Sequence, residues 1–345
     1  MRQCVMAGKP LRGQPGLPEC RQECHPEWQF PSPCTGRPCL APLPSAASAQ
    51  RLPCAAQGGS ACAQESRMTI IEPHIHMYSR TTDDYQRMYA TGIRACVEPS
   101  FWLGTNRRYA GTFFDYFQLI LDFETLRARR FGIDHYAAVS VNPKEAEDVG
   151  LAREVLAGMG DYLDHPRCVA LGEIGLNNIT PNEETVFAEQ LEMARVRHML
   201  VIIHLPHFHK PEGVARILPI LREMAMPEEQ VLIDHNTEDT MPLLRETGYY
   251  LGLTVYPISK LTPQRVSAII RQHGAQRVLV NGSADWGVSD PLSLVKVVDF
   301  MRQDGHPEAT IQSLVFDTAN AFYSGSPRWR PELNLAPVDP REFQR

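Results

Sequence analysis

From Met68 onward, short apolar runs alternate with helix-patterned stretches, and no other feature of the chain narrows the fold so far. Eight such runs occupy residues 69–71, 93–97, 136–141, 168–172, 200–204, 231–234, 249–255 and 277–280. Between them, residues 183–198, 213–224 and 264–272 carry apolar side chains at helical spacing, as at Val186, Phe187, Leu191 and Ala194. Thr180-Pro181 and Thr262-Pro263 are helix-start signals, a capping hydroxyl followed by a proline whose ring presets the first helical turn. Eight strands in about 260 residues, each followed by helix or loop, predict an α/β fold of the (β/α)8 TIM-barrel type. A doubly wound open sheet is the alternative, and the missing glycine-rich phosphate fingerprint after the first run weighs against it.

The first 67 residues follow different rules. They hold seven of the nine cysteines and ten of the 28 prolines, but only seven Leu, Ile, Val or Phe residues. That is too little apolar surface to offset chain entropy, so this stretch reads as a disordered leader or a mis-called start ahead of Met68. Cys20-x3-Cys24 and Cys34-x4-Cys39 do not match paired zinc-knuckle spacing, and seven is an odd number for a disulfide framework. The division expected is a leader (1–67), a barrel (68–330) and a C-terminal tail (331–345). No apolar run approaches the ~20 residues of a membrane span, and no secretory signal pattern is present. A cytoplasmic protein with no membrane partner is expected. The formal net charge of −6 excludes a nonspecific nucleic-acid coat, which needs a positive field. The oligomeric state is left open.

Polar residues fall at the ends of the predicted strands. Glu72-Pro73-His74-Ile75-His76 follows the first, and its period-2 spacing puts both imidazoles on one face of extended backbone. Glu173 closes the fourth, His204 ends the fifth, His235 ends the sixth and Asp285 follows the eighth. A closed barrel gathers all these strand ends around one mouth. Four imidazoles and two carboxylates are costly to bury together, and a divalent metal supplies the compensation. Asp234, Asn281, His207 and His209 are candidates to support these residues from behind, and the two histidines read alternatively as extra ligands, substrate contacts or ordinary loop residues. Lys260 and Arg80 read as solvated charges, with contact to an anionic group as the alternative. The connection 98–134 is long and aromatic, and reads either as a helix packing on the barrel or as a loop excursion over its mouth.

The stretch from Met68 to about Ser324 resembles the TatD family of metal-dependent hydrolases, within the amidohydrolase-like barrels. The residues that carry the resemblance are His74-Ile75-His76, Gly172-Glu173-Ile174-Gly175-Leu176, His204, His235 and Asp285. The phrase from Ile71 to Arg80 is similar to a divergent bacterial branch, the TatD-like proteins of Ebo-type gene clusters. The resemblance implies one metal held by His74, His76, Glu173 and Asp285, and a second by Glu173, His204 and His235. Imidazole with carboxylate suits Zn, Mn or Fe(II), and Mg less well. It further implies hydrolysis by a hydroxide bridging the two ions, with Asp285 as the catalytic residue that takes the proton.

A phosphoester is the expected substrate. An amide or lactone of a small metabolite is the alternative, and a non-catalytic metabolite-binding barrel the second. The sequence departs from the family pattern at Glu72 and Asn177, where Asp is usual, and in the 204–210 loop, which lacks the usual Arg. It departs again at His235-Asn236-Thr237-Glu238-Asp239 and at Trp286-Gly287. These are the loops that would hold a phosphodiester, so they put the family's nuclease activity in doubt, and deoxyribonuclease-like cutting of DNA ends stays a further option. If residues 1–67 are outside the core, their deletion should leave metal binding unchanged and shift the melting temperature by no more than a few degrees.

Overall fold

The computed structural model describes residues 68–339 and 341–342, so the leader expected over 1–67 lies outside the described residues. Eight parallel strands form one sheet in sequence order: β1 (Ile70–Glu72), β2 (Ile93–Pro99), β3 (Asp134–Val139), β4 (Cys168–Gly175), β5 (Leu200–His204), β6 (Val231–Asp234), β7 (Tyr250–Thr254) and β8 (Val278–Asn281). Each predicted run is present, β5 and β6 with the predicted ends and the others with ends moved by at most three residues.

The sheet curls into a nearly closed barrel whose last seam is joined by the segments that follow the strands. Ser283 N donates to His74 O at 2.8 Å, and His76 N donates to Ala284 O at 2.9 Å. The predicted helix starts hold. Thr180 accepts from Glu183 N at the start of Pro181–Val196, and Thr262 from Arg265 N at the start of Pro263–His273.

Two apolar layers follow from the period-2 alternation of the strands. One face packs against the surrounding helices, around Ile93, Phe117, Val139, Leu171, Ile203 and Val280. The other fills the barrel with Ile71, Val97, Ala138, Ile202, Leu232 and Leu279, plugged by Phe322, Tyr323 and Trp329. Residues past 330 run back along the barrel, where Glu332 N donates to Asp134 Oδ2 at 2.9 Å and Val338 N to Arg130 O at 2.8 Å.

The long connection between β2 and β3 fulfils both of its readings. Ala110–Gln118 continues through a wide turn, Leu119–Phe123, into Glu124–Arg130, and buries Phe113, Tyr116 and Phe117 against the barrel. The preceding loop carries Phe101 and Trp102 to the barrel mouth.

A polar pair is sealed between β2 and β3. Glu98 Oε2 lies 2.9 Å from His135 Nε2, both fully buried, and Glu98 Oε1 accepts from Tyr78 N at 2.9 Å. Burial pushes the Glu98 carboxyl up to about 8 and the His135 imidazole down to about 4. The pair is therefore neutral at pH 7, with the shared proton on Glu98. Folded Glu98 keeps a proton that the unfolded chain releases, so its contribution is lost as pH rises towards 8. His135 contributes in the opposite sense, and its share is lost as pH falls below 6.5. Between pH 6.5 and 8 only the carboxyl of the pair acts, and stability should fall by about 2 kcal/mol per such group. Glu72, buried and pushed up to about 8, adds a second share. Lys210, lowered to about 7 by burial, acts in the opposite sense over this window and offsets part of the loss. Urea denaturation at the two pH values should therefore show less loss of stability in Glu98→Gln than in the parent.

Candidate metal centre

His74 and His76 leave β1 on one face of extended backbone, and their ring edges meet with Nε2 to Nε2 at 3.2 Å. Each Nδ1 is committed to an acceptor: His74 Nδ1 to Asp234 Oδ2 at 2.6 Å, His76 Nδ1 to Pro99 O at 3.2 Å. The protons are therefore on Nδ1, and two Nε2 lone pairs converge. Glu173 Oε1 joins them, 3.5 Å from His74 Nε2.

On its other side the same oxygen lies 2.9 Å from His235 Nε2 and 3.2 Å from His204 Nδ1. His235 Nδ1 donates to Thr254 Oγ1 at 2.7 Å, while that hydroxyl donates to Asp234 Oδ1 at 3.3 Å. His235 Nε2 thus also presents a lone pair to a carboxylate. Bare nitrogens facing one another and an anion, all at most 12% exposed, need a cation between them. Two ligand-spaced groups, His74–His76–Glu173 and Glu173–His204–His235, share Glu173.

Asp234 is the support behind this cluster. Besides His74 Nδ1 and the Thr254 hydroxyl, it accepts from His235 N at 2.7 Å and from Asn281 Nδ2 at 2.9 and 3.0 Å. Burial opposes its ionisation. The fields of His235 and His74, with hydrogen bonds from His74 and Asn281, outweigh that and hold its carboxyl far below the usual range. Glu173 behaves alike: burial raises its pKa, but His74 and His204 carry it well below normal. Burial also holds His76, His204 and His235 below the ordinary imidazole range, which keeps their lone pairs available at neutral pH.

Gly252 makes room for the supporting carboxylate, since a Cβ there would stand 2.0 Å from Asp234 Oδ1. His235 itself sits at φ 64°, a left-handed conformation that costs a non-glycine residue about 1–3 kcal/mol. The bonds from its amide and Nδ1 hold it there.

The cluster opens into a cavity of about 200 Å³ lined on one side by Glu173, His204, His235 and Asp285. Asp285 belongs to none of the ligand-spaced groups among the described residues. Its Oδ1 accepts from Tyr256 OH at 2.8 Å and Gly287 N at 2.7 Å. His207 lines the same cavity, and His209 an adjoining one of about 300 Å³.

Lys260 and Arg80 are not the solvated charges that the sequence suggested. The loop after β7 folds back through Leu261 N to Thr254 O at 3.0 Å, which carries Lys260 Nζ to 3.3 Å from Ser283 Oγ and over the His235 ring. Arg80 donates to Asp285 O, with a side chain only 11% exposed. Asn142 and Lys144, just past β3, were also missed. Asn142 Nδ2 donates to Glu173 Oε2 at 3.3 Å, and Lys144 lines the cavity. The strand-end rule that found the ligands applies to them as well.

A barrel with imidazoles and carboxylates converging at its strand ends defines a metal-dependent hydrolase of the amidohydrolase-like class. The family model for TatD-related DNases matches residues 71–284, and the chain belongs to that family. It is 29% identical over 262 residues to an uncharacterised metal-dependent hydrolase of Methanocaldococcus jannaschii, covering 74% of this chain and 99% of that one. Among solved structures it is similar to a TatD-like protein from Archaeoglobus fulgidus, with TM-score 0.61, 25% identity, and coverage of 74% and 99% of the two chains. The phosphotriesterase homology protein of Escherichia coli shares the fold at TM-score 0.52 and 15% identity, covering 75% and 99%. Among the described residues, no helix is long and apolar enough to cross a membrane.

Because Glu173 faces both groups, Glu173→Gln should lower the content of divalent metal at both together. Metal analysis of the reconstituted variant should find neither group filled as in the parent.

Proposed function

We propose that this chain hydrolyses a small phosphoester with two divalent ions, Zn, Mn or Fe(II), and with Asp285 as the proton acceptor. The observation that carries this reading is the sharing of one Glu173 oxygen between two ligand-spaced groups beside a cavity that Asp285 also lines. His74, His76 and Glu173 would hold one ion and Glu173, His204 and His235 the other. When bound, such ions supply Lewis-acid activation of water and of the scissile bond.

The remaining work falls to the chain's own residues. Tyr256 and the Gly287 amide fix one oxygen of Asp285, which leaves the carboxylate aimed to take a proton from the attacking water and return it to the leaving oxygen. Lys260 and Lys144 place two positive charges on the cavity wall, and these favour an anionic electrophile over a neutral lactone or amide. Burial lowers Lys260 below the ordinary lysine range, while Glu173, Asp234 and Asp285 act to retain its charge. A cavity of this size takes one small group, which favours a small molecule over an extended polymer.

The test is turnover of p-nitrophenyl phosphate, a lactone and a dipeptide by metal-loaded protein, with Asp285→Asn alongside. Phosphoester turnover is expected, and the variant should lose about 10²–10⁴-fold in kcat at full metal occupancy, roughly 3–5 kcal/mol of barrier. More than a tenth of parental kcat in the variant would take Asp285 out of the proton path. Turnover of the lactone or dipeptide alone would replace the phosphoester as substrate.

A further inference from the structure

We propose that the mouth of the site carries an aromatic platform, formed by Trp102 and Trp286, that selects an anionic substrate with a planar ring attached to its reacting group. The proposal rests on the phosphoester reading for the anionic group, and adds what the rest of the substrate must be.

The two indoles come from opposite sides of the barrel seam, one from the loop after β2 and one from the loop after β8. Their ring centres lie 5.7 Å apart at 57°, and Trp286 Nε1 approaches Trp102 O at 3.4 Å. Both line the cavity that holds Glu173, His204, His235 and Asp285. Phe101 continues the aromatic wall inward and stacks on the His76 ring at 4.0 Å between centres. The wall therefore runs from a candidate ligand ring to the outer rim.

Trp286 is held rather than loose, although it is half exposed. Asp285 Oδ1 accepts from the Gly287 amide across it, and a Cβ on Gly287 would meet Tyr256 Oη at 2.4 Å, so a larger residue there would push the Tyr256 hydroxyl off Asp285. The ring is thus tied to the same carboxylate that acts on the substrate. A large aromatic surface left half in water, fixed beside a reactive site, is what a planar ligand group covers with gain. Lys144 Nζ stands 4.6 Å from the centre of the Trp102 ring, and Lys260 Nζ lies deeper against Ser283 and His235. Positive charge sits inward and along one edge, with aromatic surface outward. That order fits a molecule whose anionic end enters first and whose ring stays at the rim.

Calorimetric titration of the full, zinc-loaded chain with phenylphosphonate and methylphosphonate, neither of which turns over, tests this directly. Phenylphosphonate should bind at least tenfold more tightly. Trp286→Ala should bring it to within threefold of methylphosphonate while leaving methylphosphonate unchanged, and Trp286→Phe should keep part of the preference. Lys260→Gln should weaken both ligands alike. Equal binding of the two phosphonates by the parent, or loss of both in Trp286→Ala, would overturn the platform. A nucleobase and a simple aryl group offer the same planar chemistry. A thymidine phosphonate, in which a P–C bond replaces the ester and which likewise does not turn over, distinguishes them as a third ligand, because the ring that gains more from Trp286 is the one the platform takes. If the phosphonates behave as expected but no phosphoester is turned over, the platform stands and the catalytic reading falls. Tight phosphonate binding indifferent to Trp286, together with phosphoester turnover, means the reverse.

Discussion

The Asp234 carboxylate is the constraint on which the rest of the site depends. It is fully buried at the end of β6, and it takes hydrogen bonds from His74 beyond β1, His235 beyond its own strand, Thr254 on β7 and Asn281 on β8. A buried carboxylate left unpartnered would cost several kcal/mol. The elements around the mouth are therefore held in one arrangement by a single anion. The same bonds fix the tautomer of His74, and through Thr254 that of His235, and so decide where lone pairs point. Gly252 belongs to this constraint too, because β7 must bring bare backbone past that carboxylate.

The fold was legible because strand and helix periodicities differ and the chain from Met68 keeps them separate. The candidate ligand set was legible for a geometric reason. In a parallel barrel a polar residue just past a buried apolar run can face only the mouth, so His74, His76, Glu173, His204 and His235 could be read from position alone. Asn142 and Lys144 obey the same rule past β3, but Asn-Pro-Lys also reads as an ordinary turn. Lys260 was hidden for a different reason. It stands six residues past Thr254, and its place depends on a loop that doubles back through Leu261, a tertiary contact that no local pattern encodes. Asp234 and Asn281 were legible as supports behind the candidate ligands, but which groups Asp234 binds depended on distances between strands far apart in sequence.

The loops that depart from the family pattern are also those that shape the mouth. Trp286-Gly287 supplies an aromatic ring and the turn that holds it, and the loop after β5 places His207 on the cavity wall and leaves Phe208 exposed. The ligands come from strand ends, where the barrel tolerates little change, while the substrate-facing surface comes from loops that vary without disturbing the sheet. Membership of the TatD-related family thus speaks for the metal chemistry, and the chain's own loops speak for what is bound.

The seam of the barrel carries a consequence for motion. Strands β8 and β1 are joined through Ser283 to His74 and His76 to Ala284, so the backbone that presents two candidate ligands is also the clasp of the cylinder. In most barrels a site loop can fray while the sheet beneath stays shut. Here slackening of the His74–His76 segment also removes bonds of the seam, so motion of the site is coupled to loosening of the barrel wall beside it. Such a site gives up the freedom of a mobile loop and gains ligands as rigid as the core.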